Sequence, residues 1–135
     1  MYKLPDYSFY QYGWNNTITQ IERYIDFHAL RQQTRGVILR AGQNLWRDRA
    51  FDVSWKNAKE AGLLRGSYWF YDSRANPKRQ AEKWAETLGN DPGEMELWCD
   101  FEERYGGAFG GWKHWYDFME ALKALLPNKK IGVYT

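Results

Sequence analysis

The chain has 135 residues with 19 basic and 17 acidic side chains, so its formal net charge is only +2. That length suits one domain with a substantial core, and the mixed charge without a basic stripe argues against nucleic acid as a partner. The single cysteine, Cys99, excludes an internal disulfide and any cysteine-based metal site.

Other patterns narrow the class further. No apolar run approaches the length of a membrane span, so no membrane partner is predicted, and the segment before Tyr10 lacks the apolar core of a signal peptide. His28 and His114 fall in separate helical patterns and no glycine-rich phosphate loop follows a strand, so no metal or cofactor is predicted. Aromatic residues make up 19% of the chain, enough to fill a core and to line a groove for sugars or bases.

Short apolar runs recur along the chain at intervals of roughly 30 residues, the length of a strand with its returning helix. A first strand is expected in YKLPDYS, where Pro5 is tolerable at a sheet edge. The later runs are GVILRA from Gly36, GSYWFY from Gly66, MELWCDFE from Met95 and KIGVYT from Lys130.

The segments between these runs carry helix signals. Thr17 and Gln20 are spaced as a capping box, and Asp48 is predicted to cap a helix that ends at Gly62. Asn76 followed by Pro77 predicts the start of a third helix. The fourth helix has an apolar stripe that is predicted to face the core and a stop at Pro127. The stripe consists of Trp112, Trp115, Met119, Leu122 and Leu126.

A repeated order of strand and helix predicts an α/β fold with a parallel sheet, either an open doubly wound sheet or a (β/α) barrel. In both architectures the site lies where the carboxyl ends of the strands meet. This rule selects Asp6, Arg40, Tyr68, Phe70, Asp100 and Glu102.

The last of these strands ends in two carboxylates. Side chains alternate along a strand, so Trp98, Asp100 and Glu102 are predicted to share one face, while Leu97, Cys99 and Phe101 share the other. Two neighbouring carboxylates in a partly buried centre raise the pKa of one of them, which is the arrangement that glycoside hydrolysis uses. The alternative is that the two acids simply end the strand in solvent.

The ordered motifs resemble those of the family 25 glycoside hydrolases, the N-acetylmuramidase lysozymes of bacteria and phages. The resemblance begins at Asp6-Tyr7-Ser8 with Gln11 and continues through Arg40-Ala41-Gly42. It then includes Asp48, Phe51, Asn57, Ala61-Gly62-Leu63, Gly66-Ser67-Tyr68 and Gln80-Ala81. It ends with Asp100-Phe101-Glu102 and Gly132-Val133-Tyr134-Thr135.

This resemblance implies a catalytic domain over residues 1–135 that cleaves the β-1,4 bond between N-acetylmuramic acid and N-acetylglucosamine in peptidoglycan. It implies Glu102 as the general acid, Asp100 as the group that stabilises the substrate N-acetyl group or the developing positive charge, and Asp6 as a third acid. The residues expected to bind the glycan are Tyr68, Trp69, Phe70, Trp98, Tyr134 and Arg40.

Family catalytic domains continue beyond the point that matches Thr135, so the resemblance implies an incomplete TIM-like barrel with about the first five strands and four helices. A parallel sheet that stops there has an open edge, which predicts either a longer gene product or a homodimer that covers the edge. Two other functions stay open: a glycan-binding or assembly module without turnover, and a hydrolase of another amino-sugar polymer such as chitin. The cell wall is the expected place of action, and the cellular localisation is undetermined.

Overall fold

A computed structural model describes residues 4–8, 25–101 and 111–134 of the chain. The strands are β1 (Asp6–Tyr7), β2 (Gly36–Gln43), β3 (Trp46–Arg47), β4 (Leu64–Phe70), β5 (Leu97–Asp100) and β6 (Ile131–Tyr134). The helices are α1 (Phe27–Arg31), α2 (Phe51–Glu60), α3 (Pro77–Leu88) and α4 (Gly111–Leu125). Within these ranges no helix is long and apolar enough to cross a membrane.

One sheet contains all six strands. Its order is β1-β2-β4-β5-β6 with every neighbouring pair parallel, while β3 pairs antiparallel with the end of β2. The five runs predicted as strands are therefore confirmed as the parallel strands, and β3 is an addition that the sequence analysis did not foresee. The mostly parallel α/β class is confirmed, and closure into a barrel stays a prediction.

Aromatic side chains bury the face of the sheet that packs against the helices. Trp69 of β4 stacks on Trp84 of α3 with ring centroids 6.2 Å apart, and Trp84 stacks in turn on Phe118 of α4 at 6.3 Å. The buried indole N–H of Trp84 donates to Ser67 Oγ at 3.0 Å, so the ring packs without leaving its polar atom unsatisfied. These contacts fix α3 and α4 against β4.

Helix α3 begins where the sequence predicts. The Asn76 side chain accepts a hydrogen bond from the Arg79 amide at 3.0 Å, Pro77 occupies the first turn, and Gly89 follows the last residue at φ +57°. Helix α2 differs from the prediction, because its N-cap is Ala50 and not Asp48. Asp48, three residues before the first helical residue, accepts a hydrogen bond from the Ala50 amide at 2.9 Å.

The apolar stripe of α4 is only partly the predicted one. Phe118 and Leu122 are fully buried, whereas Trp112 is 72% exposed, although its ring lies 6.1 Å from that of Phe101. The prediction that Trp112 belongs to the core is therefore wrong. The predicted capping box at Thr17 and Gln20 lies outside the described residues.

Candidate active site

The strand register brings most of the predicted site residues to one face of the sheet. Asp6 pairs with Ile38 across β1 and β2, Tyr68 pairs with Trp98 across β4 and β5, and Asp100 pairs with Tyr134 across β5 and β6. Parallel neighbours in register point to the same side. Together they line a groove of about 470 Å³. Its lining residues are Leu4, Asp6, Ile38, Tyr68, Trp98, Asp100 and Tyr134.

The alternation predicted for β5 holds within the described residues. Trp98 and Asp100 are half-buried at the groove, whereas Leu97 and Cys99 are fully buried on the helix-packed face. Burial raises the pKa of the Cys99 thiol well above its ordinary value, so this cysteine stays protonated and unreactive. Glu102, the predicted general acid, lies outside the described residues.

Trp98 presents its ring along the groove because its neighbour on β6 is a glycine. Gly132 pairs with Trp98 in register, and a Cβ at Gly132 would collide with the six-membered part of the indole ring. The ring therefore lies over the backbone of β6, next to Tyr134, whose side chain is 62% exposed. An aromatic face in this position can stack against the apolar face of a sugar ring.

Tyr68 is a hydrogen-bond donor in an acidic groove. Its pKa is raised above the ordinary value, mainly because the phenol is buried, and the negative charges of Asp6 and Asp100 add to this effect against the opposing charge of Arg40. The hydroxyl therefore keeps its proton over the physiological range. The sequence alone placed Tyr68 at the site, and the structure shows the acidic and buried surroundings of its phenol.

Arg40 lies next to the groove and is not one of its lining residues. Its side chain is 5% exposed, and its Nε donates to Asp48 at 2.8 Å while Nη1 donates to Gln43 at 3.1 Å. The guanidinium also lies 5.0 Å from the ring centroid of Trp46. These contacts hold the end of β2 together, and contact of Arg40 with a substrate stays a prediction.

Two other predicted binding residues are not among the groove's lining residues. Trp69 is fully buried on the opposite face against Trp84, so the structure corrects its assignment from sugar platform to core residue. A register shift near Arg40 pairs Trp69 with Gly42, which has no side chain to compete for that space. Phe70 is half-buried beside Asp100, its register partner on β5, and does not line the groove.

A network at the rim was not predicted from the sequence. Asp72, fully buried just after β4, accepts hydrogen bonds from the Asn44 side chain at 2.9 Å and from both Nε and Nη2 of Arg74. The Gln80 side chain accepts a hydrogen bond from the backbone amide of Asp72 and donates one to the backbone carbonyl of Asp72. The bonds from Arg74 hold the pKa of Asp72 below its ordinary value. This network fixes the loop between β4 and α3 at the carboxyl edge.

Metal ligation finds no support in the described part of the chain. No group of three or more His, Cys, Asp or Glu side chains there could hold a metal ion. The chemistry available in the groove is that of carboxylates, phenols and an indole.

Comparison with known proteins places this geometry in context. The family model for glycosyl hydrolases family 25 matches residues 12–135. A search of curated proteins finds no significant match.

Several solved structures share the fold. A family 25 glycosyl hydrolase from Bacillus anthracis has a TM-score of 0.76 at 20% identity, with 98% of this chain and 60% of that chain covered. A muramidase from Trichobolus zukalii has a TM-score of 0.71 at 21% identity, covering 96% and 63%. A bacterial lysozyme from Streptomyces coelicolor has a TM-score of 0.70 at 20% identity, covering 95% and 60%. The chain thus spans less than two thirds of the length of these structures.

Proposed function

Since the chain belongs to the glycosyl hydrolases family 25, we propose that it acts as a lysozyme on peptidoglycan, cleaving the β-1,4 bond between N-acetylmuramic acid and N-acetylglucosamine. The observation that carries this proposal is the groove in which Asp6 and Asp100 lie among Tyr68, Trp98 and Tyr134. Carboxylates supply the acid and the charge stabilisation that glycoside hydrolysis needs, and aromatic rings bind sugars without adding charge.

Each acidic group is given the role that the family resemblance implies. Glu102, which alternation along the sequence predicts to share the face of Asp100, is proposed to protonate the glycosidic oxygen. Asp100 would orient the N-acetyl group or stabilise the positive charge that develops on the sugar, and Asp6 would add negative potential from β1. The Tyr68 hydroxyl, which keeps its proton, donates a hydrogen bond to a sugar or carboxylate oxygen.

Removal of one carboxylate at a time tests the proposal. Glu102→Gln is expected to lower the rate of reducing-end release from purified cell walls by about 10²–10⁴-fold, because the amide cannot donate the proton. Asp100→Asn should also lose most activity. Glu96→Gln removes an exposed carboxylate just before β5 and serves as the matched control with an unchanged rate. Wild-type rates in Glu102→Gln would overturn the assignment of the general acid.

A second function is favoured by the exposure of β6. This strand ends the order of described strands, and its Val133 and Tyr134 are 45% and 62% exposed. A glycan-binding or assembly module, or a homodimer that covers this edge, would fit these exposed side chains. Sedimentation of the protein with cell walls without release of reducing ends would favour this function. The mass of the protein in solution shows whether it forms a homodimer. Product analysis on chitin beside peptidoglycan separates the third candidate, a hydrolase of another amino-sugar polymer.

A further inference from the structure

A second cavity of about 510 Å³ lies between the loop that follows β4 and the exposed side of α4. One wall comes from Ser73, Arg74 and the first turn of α3, including Lys78. The other wall comes from α4, where His114, Asp117 and Glu120 follow at helical spacing. None of these residues lines the groove described above.

The two walls carry opposite charge. Arg74 is paired with the buried Asp72, so the positive charge of the loop wall comes from Lys78, whose ammonium has no ion-pair partner among the residues that the structure describes. The α4 wall is anionic through Asp117 and Glu120, and within the described ranges each of them forms an ion pair with an exposed lysine of its own helix and with no other cation. Exposed pairs of that kind are weak and exchange readily with a ligand.

The loop wall also offers hydrogen-bond donors to a ligand. Ser73 is 7% exposed, and its hydroxyl has no hydrogen-bond partner within the described ranges. In the first turn of α3, Pro77 has no N–H and the Arg79 amide is bonded to Asn76, which leaves the Lys78 amide as the remaining donor of that turn. Donors at the amino end of a twelve-residue helix favour a carboxylate.

We propose that this cavity binds the peptide attached to the muramic acid of the substrate, with a peptide carboxylate at Lys78 and Ser73 and the ammonium of a diamino acid at Asp117 and Glu120. This inference rests on the proposed function. Peptidoglycan peptides carry acidic residues and an amine on one short chain, and the two walls present the complementary charges at separate places.

The distance between the groove and the cavity fits such a peptide. Phe70 is the register partner of Asp100, which lines the groove, and Ser73 follows Phe70 by three residues. Register partners on neighbouring strands lie about 5 Å apart and three residues span at most about 11 Å, so Ser73 lies within about 16 Å of Asp100. An extended peptide of five residues reaches about 17–18 Å. A peptide that leaves a sugar in the groove can therefore reach Ser73. The Asp72 network holds the intervening loop in place.

Binding of an isolated peptide tests the inference without turnover. The tetrapeptide L-Ala-γ-D-Glu-L-Lys-D-Ala is titrated into the wild type, Lys78→Met, Glu120→Gln and the control Lys56→Met, whose lysine is exposed on α2. We expect wild type and control to bind alike and both cavity variants to lose at least ten-fold in Kd. All three substituted positions are exposed, so thermal melting should show unchanged folding. Absence of binding to the wild type, or equal binding by all four proteins, overturns the inference.

Hydrolysis separates this inference from the proposed function. On intact cell walls the wild type is expected to show a KM several-fold lower than on walls stripped of peptide by an amidase, and the two cavity variants should lose that difference with kcat retained. Equal KM on both polymers, with normal hydrolysis, overturns the inference and leaves the proposed function standing. Failure to hydrolyse either polymer overturns the proposed function. In that case the peptide titration alone tests whether the cavity binds the peptide.

Discussion

Two buried arginines, at opposite ends of the sheet, hold carboxylates in different ways. Arg65, near the amino end of β4, is fully buried and donates two hydrogen bonds of 2.8 Å to Asp91 and bonds of 3.0 and 2.7 Å to Glu94. Arg40, toward the carboxyl end of β2, is 5% exposed and pairs with Asp48. The partners of Arg65 are about 40% exposed, whereas the Asp48 side chain is 1% exposed.

The exposure of the partner determines what each arginine contributes. The Arg65 cluster ties the segment before β5 to β4, with the guanidinium 4.4 Å from the Trp55 ring and donating to the Trp55 carbonyl. Water can still reach the carboxylates of that cluster. The pair of Arg40 and Asp48 is closed to water, so water cannot replace the ion pair if one charge is removed. The closed pair lies beside the candidate site, while the open cluster lies at the other end.

The largest expected effect is on stability and comes from Arg40→Met. Removal of the cation takes the Arg40 ion pair from the buried Asp48 carboxylate, which should lower the free energy of unfolding by about 3–5 kcal/mol. Urea denaturation measures this change. The double variant Arg40→Met with Asp48→Asn removes both charges and should recover at least half of the loss. If the double variant is less stable than the single one, the buried charge is not the cause.

A smaller loss is expected for Arg65→Met. Its two carboxylates can be hydrated when the cation is gone, so we expect a decrease of about 2–3 kcal/mol from lost charged hydrogen bonds and packing. Arg79→Met, which breaks an exposed pair with Glu82, is the control and should change stability by less than about 0.5 kcal/mol. A loss for Arg65→Met larger than that for Arg40→Met would contradict the role given to partner exposure.

Local sequence signals predicted most of the described fold. The four apolar runs from Gly36 onward became β2, β4, β5 and β6, and Asn76 with Pro77 marked the start of α3. Those signals depend on a few neighbouring residues, so they can be recognised without knowledge of the tertiary structure. The short β3 carries no apolar pattern and exists because the turn at Asn44, with φ +55°, folds the chain back onto β2.

Predictions that needed tertiary information were less accurate. Helical periodicity could not show that Trp112 lies at the border of the stripe while Phe118 lies at its centre. Alternation could have placed Trp69 opposite Tyr68 and so in the core, had it been applied to β4 as it was to β5. Asp48 was predicted as a cap because of its spacing to Phe51, whereas the buried charge of Arg40 determines its position.

The candidate site was predicted from a simple rule, that the carboxyl ends of parallel strands meet. Asp6, Tyr68 and Asp100, which this rule selected, do line one groove. Trp98 and Tyr134, which alternation and the family resemblance added, line it with them. The Asp72 network escaped prediction because its members, Asn44, Arg74 and Gln80, are distant in the sequence or carry no signal of burial. Only the folded chain brings these polar groups together.

The smallest expected effect is on the pH dependence of stability and comes from the Arg65 cluster. Hydrogen bonds from Arg65 hold the pKa of Asp91 and of Glu94 below their ordinary values, so the folded state binds fewer protons than the unfolded state in mild acid. Their stabilisation is complete above about pH 5 and is lost as the pH falls below about 4.5. The wild type should therefore lose more Tm between pH 7 and pH 3.5 than Arg65→Met does. The difference is expected to be only about 2–4 °C, because water screens these exposed carboxylates. Asp72, whose pKa Arg74 also lowers, should keep some acid sensitivity in both proteins. An equal loss of Tm in wild type and Arg65→Met would show that the open cluster does not govern acid stability.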